Sequence, residues 1–381
     1  MVITLVAALL AAIVATPGSR AAFVDTTGAT ANSATAASCF YTPTVQSGTA
    51  TNAANGTQTI TISAVDPAKA FLLFSTRHDS NRPVGSVLGG ELASATTVAF
   101  HRNTDEAPPV PITIRWYVVE YPCGVSVQRG TVAQSATTVD ATITPVAALS
   151  QAFVTYSKTV FEADTNWDGN DPFLVDLTST SNVQVRSQAA GSGHTTYWQV
   201  IEFTDATKIS VQRGTTSIPS GSIAATVSIP TAVDTSRAFA LVSSRADQQD
   251  MDETLLRTRL LSSTTLEIAR AFDANDIDEV SWQVVELFDG SAVQHLHTLL
   301  DPAVSSSAVS ISAVDLGRAT AFAGTQSGGG QNGGRTTYFD DDIVGVASAT
   351  FSFASPTQVS VERTSTVDFG SFGWQVVEWG N

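Results

Sequence analysis

Oxygen donors in one loop are the residues best placed for chemistry. Asp164, Asn166 and Asp168 stand at alternate positions and Gly169 follows where the chain must turn, which is the spacing of the first half of a calcium loop. The bidentate glutamate of such a loop would fall at Val175, so Asp171 or Asp176 must take its place. The candidate metal set is therefore Asp164, Asn166, Asp168 and Asp171, holding Ca2+; the competing reading is an acidic turn in solvent. His295 and His297 offer two imidazoles on one face of a strand, but zinc sites use at least three protein ligands. His78, His101 and His194 are solitary, and GxSxG, HExxH and P-loop patterns are absent from the sequence. Glycines 328–334 lack the lysine of a phosphate loop and read as a flexible loop. Neither Cys39 nor Cys123 has a His or Asn motif that would make it a nucleophile. No catalytic residue is assigned, and an enzyme is not expected.

The elements that would carry these loops are repeats. A closing phrase occurs four times: Trp116-Tyr-Val-Val-Glu120, Trp198-Gln-Val-Ile-Glu202, Trp282-Gln-Val-Val-Glu286 and Trp374-Gln-Val-Val-Glu378. An opening phrase precedes each: Val45-Gln-Ser-Gly48, Val127-Gln-Arg-Gly130, Val211-Gln-Arg-Gly214 and Val293-Gln-His-Leu296. A fixed period of about 80 residues signals tandem copies of one folding unit. The predicted organisation is an apolar signal-like segment at 1–22, a linker at 23–44, and units at 45–121, 122–203, 204–287 and 288–381. Within a unit, about six short β-branched runs are split by turn residues, and no 3.6-residue periodicity occurs. The expected fold class is all-β: four tandem antiparallel β-sandwich units of about six strands each.

Position-by-position reading of the copies assigns Phe71, Phe153, Phe239 and Phe322 to one place in the long strand. It assigns Arg102, Arg186, Arg270 and Arg363 to another. Alternation puts Trp, the first Val and Glu of the closing strand on one face. A covered carboxylate needs a partner, so the pairs expected are Glu120 with Arg102, Glu202 with Arg186, Glu286 with Arg270 and Glu378 with Arg363. The loop after the phenylalanine strand differs in every copy, and divergent loops on a rigid scaffold are how binding surfaces are built.

Charged residues make up only 14% of the chain and the formal net charge is −16. That excludes nucleic acid, which needs clustered Lys and Arg, and an anionic membrane surface. The apolar run Met1–Thr16 is short for a membrane span and has the length of a secretory h-region, although no basic residue precedes it. The expected location is extracellular or cell-surface. There, Cys39 and Cys123 either pair, tying the N-terminal arm to the end of the first unit, or remain small buried hydrophobes.

The phrases Val45-Gln-Ser-Gly48 and Ser281-Trp-Gln-Val-Val-Glu286, with Leu256-Arg-Thr-Arg-Leu260 between repeats of that form, resemble the H-type lectin domain. The resemblance implies a six-stranded antiparallel sandwich, oligomerisation, and binding of sugars such as N-acetylgalactosamine through an arginine. Here that arginine would be Arg257 or Arg259 in the third unit; the other units have none in that strand. The function expected is a non-enzymatic secreted or surface-displayed repeat protein with a structural or adhesive role. The alternatives are a carbohydrate-binding protein, or a filament subunit that joins copies of itself by its N-terminal arm or a sheet edge. Glycans and other copies of the chain are the expected partners, with a homo-oligomer as one outcome.

Overall fold

Short apolar runs alternate with turn-forming residues throughout the repeats, and in the computed structural model each repeat folds as six antiparallel strands, with a short seventh in the fourth. The structure describes residues 42–380 apart from 54–55, 81, 103–108, 161–166, 192, 248–253, 272–274, 325–330 and 334–343. The signal-like segment, most of the linker, Cys39, Asp164 and Asn166 lie outside the described residues. In the first unit the strands are β1 (Thr44–Asn52), β2 (Gly56–Thr61), β3 (Ala70–Arg77), β4 (Gly89–Ser94), β5 (Thr97–Arg102) and β6 (Ile112–Glu120). The second has β7 (Val125–Ala133), β8 (Thr138–Thr142), β9 (Ala152–Thr159), β10 (Leu174–Ser179), β11 (Asn182–Arg186) and β12 (Thr195–Phe203). The third has β13 (Ile209–Ile218), β14 (Ala224–Ser228), β15 (Ala238–Arg245), β16 (Arg257–Ser262), β17 (Thr265–Ala269) and β18 (Ile277–Leu287). The fourth has β19 (Ala292–Leu300), β20 (Ser306–Ser310), β21 (Ala319–Ala323), β22 (Gln331–Gly333), β23 (Thr350–Ser355), β24 (Gln358–Glu362) and β25 (Phe369–Glu378). Each unit forms two three-stranded sheets: β1-β6-β3 with β2-β5-β4 in the first, and the same orders in the others, with β22 added beside β25.

The opening phrase is explained by what it packs against. Val45, Val127, Val211 and Val293 pair with Val119, Ile201, Val285 and Val377 of the closing strands. The glutamine that follows folds back on its own unit: the Gln212 side chain accepts from the Thr231 N–H at 2.7 Å and donates to its carbonyl at 2.8 Å. Gln46, Gln128 and Gln294 do the same with Ser63, Thr144 and Ser312. The glycine gives room to the tryptophan, since a Cβ on Gly48, Gly130 or Gly214 would lie 2.6 Å from the ring of Trp116, Trp198 or Trp282. The fourth unit solves the same problem differently, with Leu296 there and the Trp374 indole N–H donating to Thr298 Oγ1 at 2.9 Å. On this inner face each unit has its own apolar core, for example Leu72, Val98, Phe100, Trp116 and Val118 in the first.

The opposite face of each tryptophan sheet is not solvated. It turns inward against the neighbouring units, which close into a ring around an axis. Phe71, Phe153 and Phe239 meet there, with centroids 6.2 and 5.7 Å apart, and Trp379 stands 5.3 Å from Phe71 and 5.8 Å from Phe239. The shared position read from the sequence fails in the fourth unit. Register places Thr320 opposite Val377, where Phe71 faces Val119, while Phe322 lies two residues further on opposite Gln375. Trp379 fills the vacated space and donates to Thr320 Oγ1 at 2.9 Å.

Side chains of each unit complete the open sheet edges of the one before. Gln199 pairs with both the N–H and the C=O of Leu72 on β3, at 2.9 and 2.8 Å. Gln283 does so with Val154 on β9, at 2.9 and 3.1 Å, and Gln375 reaches only the Ala240 carbonyl, at 3.4 Å. Ser157 and Ser243 likewise clasp Gly90 and Val175 on the β4 and β10 edges. The ring shuts where Tyr117 donates to the Phe351 carbonyl at 2.7 Å and Val45 N–H donates to the Gly317 carbonyl at 2.7 Å. A Gln283→Leu variant strands two buried backbone groups and is expected to lose roughly 2 kcal/mol or more of unfolding free energy, measured by urea denaturation. Gln375→Leu, which gives up one long bond, is expected to lose clearly less; equal losses would contradict the edge-clasp account.

Candidate functional site

The axis has a closed end and a hollow end. The base carries the first residue of β1, the last of β25 and the β6–β7 turn with Cys123, because Thr44 and Ala70 both pair with Glu120 and Ala292 with Glu378. The distal end carries the described residues of the segments that follow β3, β9, β15 and β21. Val84, Val87, Val160, Trp167, Leu255 and Val344, drawn from all four units, pack into one apolar collar there. Inside the collar is a cavity of about 90 Å³ walled by Thr76, Tyr156, Lys158, Asp171, Ser244 and Ser348 among others. A second void of about 60 Å³, lined by Gln199, Gln283 and Tyr197, lies further along the axis. A cavity the size of the upper one has room for several water molecules or a small ligand group.

Lys158 is the chemically distinctive wall residue. It is one of three lysines in the chain, with Lys69 and Lys208, and its side chain is 1% exposed. Its Nζ lies 3.9 Å from Asp171 Oδ1 and 4.3 Å from the centre of the Phe173 ring. Asp171 Oδ2 accepts the Asp168 N–H at 2.9 Å, and Asp168 Oδ1 accepts the Asn170 N–H at 2.9 Å. The two described members of the predicted calcium set are thus used in the turn itself and in a buried ion pair. Among the described residues no group of three or more His, Cys, Asp or Glu side chains converges as metal ligands. Tyr156 donates to the Phe173 carbonyl at 2.8 Å, and burial raises its phenol well above its ordinary range.

His78 and Ser348 meet at the seam between the first and fourth units, 3.0 Å apart, and resemble a catalytic pair only in outline. The Ser80 N–H donates to His78 Nδ1 at 3.2 Å, so the ring proton sits on Nε2 and points at the serine. Ser348 in turn donates to the Val344 carbonyl at 3.2 Å. The imidazole is a donor here and has no lone pair to take a serine proton. Burial first, then the Arg102 charge, pushes its pKa down to about 3.

Arg257 and Arg259 are not among the residues that line the cavity. Both hold Glu267: Arg257 at 3.0 Å, and Arg259 through two bonds of 2.7 and 2.9 Å. The Arg259 bond chiefly lowers the Glu267 pKa. Arg257 also reaches His297 and Ser371 of the fourth unit at 3.1 Å each, so it belongs to a seam. His295 bonds the Thr235 carbonyl at 3.0 Å, and the two histidines share no site. The remaining seams use other chemistry at the matching place. His101 stacks on Tyr197 at 4.9 Å, Arg186 pairs with Glu279 at 2.7 Å, and Arg77 pairs with Glu362 at 2.9 Å.

The recurrent glutamates do not take the expected arginines. Glu120 and Glu202 accept the backbone N–H of Asp66 and Ala147 at 2.6 Å, while Glu286 bonds Arg237 and Glu378 bonds Arg318 at 3.0 and 2.7 Å. Arg102, Arg270 and Arg363 are buried and donate to loop carbonyls such as those of Val110, Ser222 and Asp368. Arg186 is one position out of step: Leu174 faces Arg186 as Gly89 faces His101, so Ser187 occupies the buried arginine's place. The sequence reading missed Lys158 and Tyr156; the one signal was a lysine inside a strand, in a chain with three lysines.

Cys123 is disulfide-bonded. No family model matches the chain, and no curated protein matches it.

An unfolded histidine titrates near 6.5, and folded His78 near 3. As pH falls below 6.5 the unfolded chain binds a proton that the native seam refuses. Stability should therefore drop by about 1.4 kcal/mol per pH unit from this group. His295 and His297, also depressed by burial first, act in the same direction. Denaturation series between pH 7 and 5 should show a shallower slope in His78→Gln than in the parent; identical slopes would refute the assignment.

Proposed function

We propose that this chain is a non-enzymatic, secreted or surface-displayed module with a structural and adhesive role, its ring of sandwiches holding variable loops toward a partner. The supporting observation is the division of labour along the axis. The base carries Cys123 and the first and last described strand ends, while the collar, the cavity and the described flanks of the divergent loops lie at the distal end. A bonded Cys123 fits an oxidising compartment. The His78–Ser348 geometry supports the non-enzymatic reading, since its proton faces the wrong way for nucleophile activation.

The test is a surface-binding assay with purified protein on beads. Replacing distal residues, as in Trp167→Ser, is expected to reduce capture at least tenfold, whereas a base substitution such as Asp205→Asn leaves it unchanged. Equal effects at both ends, or hydrolytic turnover of a substrate, would overturn the reading.

Glycan binding in the manner of an H-type lectin is the second reading, favoured by the paired three-stranded sheets that the resemblance implies. Saturable, sugar-competed signals on a glycan array that vanish in Arg259→Ala would support it. Calcium at the 164–171 loop is a separate proposal, answered by calorimetric titration with CaCl2.

A further inference from the structure

We infer that Lys158 and Asp171 become joined by a side-chain amide, a covalent cross-link within the second unit. The two groups meet the conditions for a condensation that is slow in water. Both side chains are almost wholly excluded from solvent, at 1% and 0% exposure, and Nζ lies 3.9 Å from Oδ1. Holding the two groups side by side on a folded scaffold removes the entropy cost of bringing them together. A charged pair taken out of water favours passing one proton from ammonium to carboxylate, which yields the neutral amine and the carboxylic acid. The Phe173 ring, 4.3 Å from Nζ, and the buried Trp167 keep the surroundings apolar. The Asp168 N–H, 2.9 Å from Oδ2, is placed to stabilise negative charge on that oxygen as the tetrahedral centre forms.

The step balances without an external reagent. The Lys158 amine attacks Cγ of the protonated Asp171 carboxyl, forming a C–N bond. The C–Oδ1 bond breaks, and that oxygen leaves as water with one proton from the carboxyl and one from the amine. Nothing is oxidised or reduced. The adjoining cavity of about 90 Å³ receives the water. The cross-link pins the divergent loop between β9 and β10 to the strand that precedes it, and it goes beyond the display role proposed above.

Denaturing mass spectrometry of the whole protein and of its tryptic peptides decides the matter. The wild-type protein is expected to yield a looped tryptic peptide spanning residues 130–186, uncut after Lys158 and one water lighter than the linear 130–186 peptide. Lys158→Met and Asp171→Ala are expected to restore the full mass. If wild-type peptides carry their full mass and trypsin cuts after Lys158, the inference is wrong; this readout needs no variant to fold.

Discussion

Open sheet edges are the constraint that organises this protein. A six-stranded sandwich with two three-stranded sheets leaves unpaired N–H and C=O groups along its outer strands, and such edges invite uncontrolled pairing. Here the next unit's side chains occupy them. An amide from glutamine matches a peptide group donor for acceptor, so Gln199 on Leu72 and Gln283 on Val154 extend the sheet by one residue's worth of bonds and then stop it. Serine does the same on the companion sheet at Gly90 and Val175. Because each unit caps its predecessor, only a closed ring leaves no unit uncapped, and Tyr117 and Ser75 of the first unit supply the last cap at Phe351.

Closure also solves a packing problem. A unit of about 80 residues has little interior of its own, yet the tryptophan sheet is apolar on both faces. One face closes the unit's core, and the other contributes Phe71, Phe153, Phe239 or Trp379 to a shared plug. The four seams use ring stacking, two different ion pairs, and an arginine–histidine–serine contact at equivalent places. The ion pairs are only partly covered, so each seam differs in chemistry more than in buried charge.

The buried arginines illustrate why some local readings went astray. Sequence pattern places Arg102, Arg270 and Arg363 correctly at one recurring site, and a carboxylate seemed the natural partner. The structure has each of these guanidiniums donate to loop carbonyls, including those of Val110, Ser222 and Asp368. It leaves the glutamates to cap the backbone before the third strand or to pair with Arg237 and Arg318. In the turn at 168–171, Asp168 and Asp171 oxygens accept backbone N–H groups, and Asp171 lies beside Lys158.

Sequence alone determined the all-β class and the four sandwich units, since strand alternation, turn residues and repeated phrases are local signals carried by every copy. It also placed tryptophan, valine and glutamate on one strand face. What it did not contain was the ring: the meaning of the glutamine, the one-residue offset at Arg186, the substitution of Trp379 for a phenylalanine, and the meeting of Lys158 with Asp171 beneath the collar. The glutamine and Trp379 contacts depend on which surfaces of separate units face one another, more than a hundred positions apart in the chain. The Arg186 offset and the Lys158–Asp171 meeting depend on how the second unit's own strands and loop fold, and neither kind leaves a period to read.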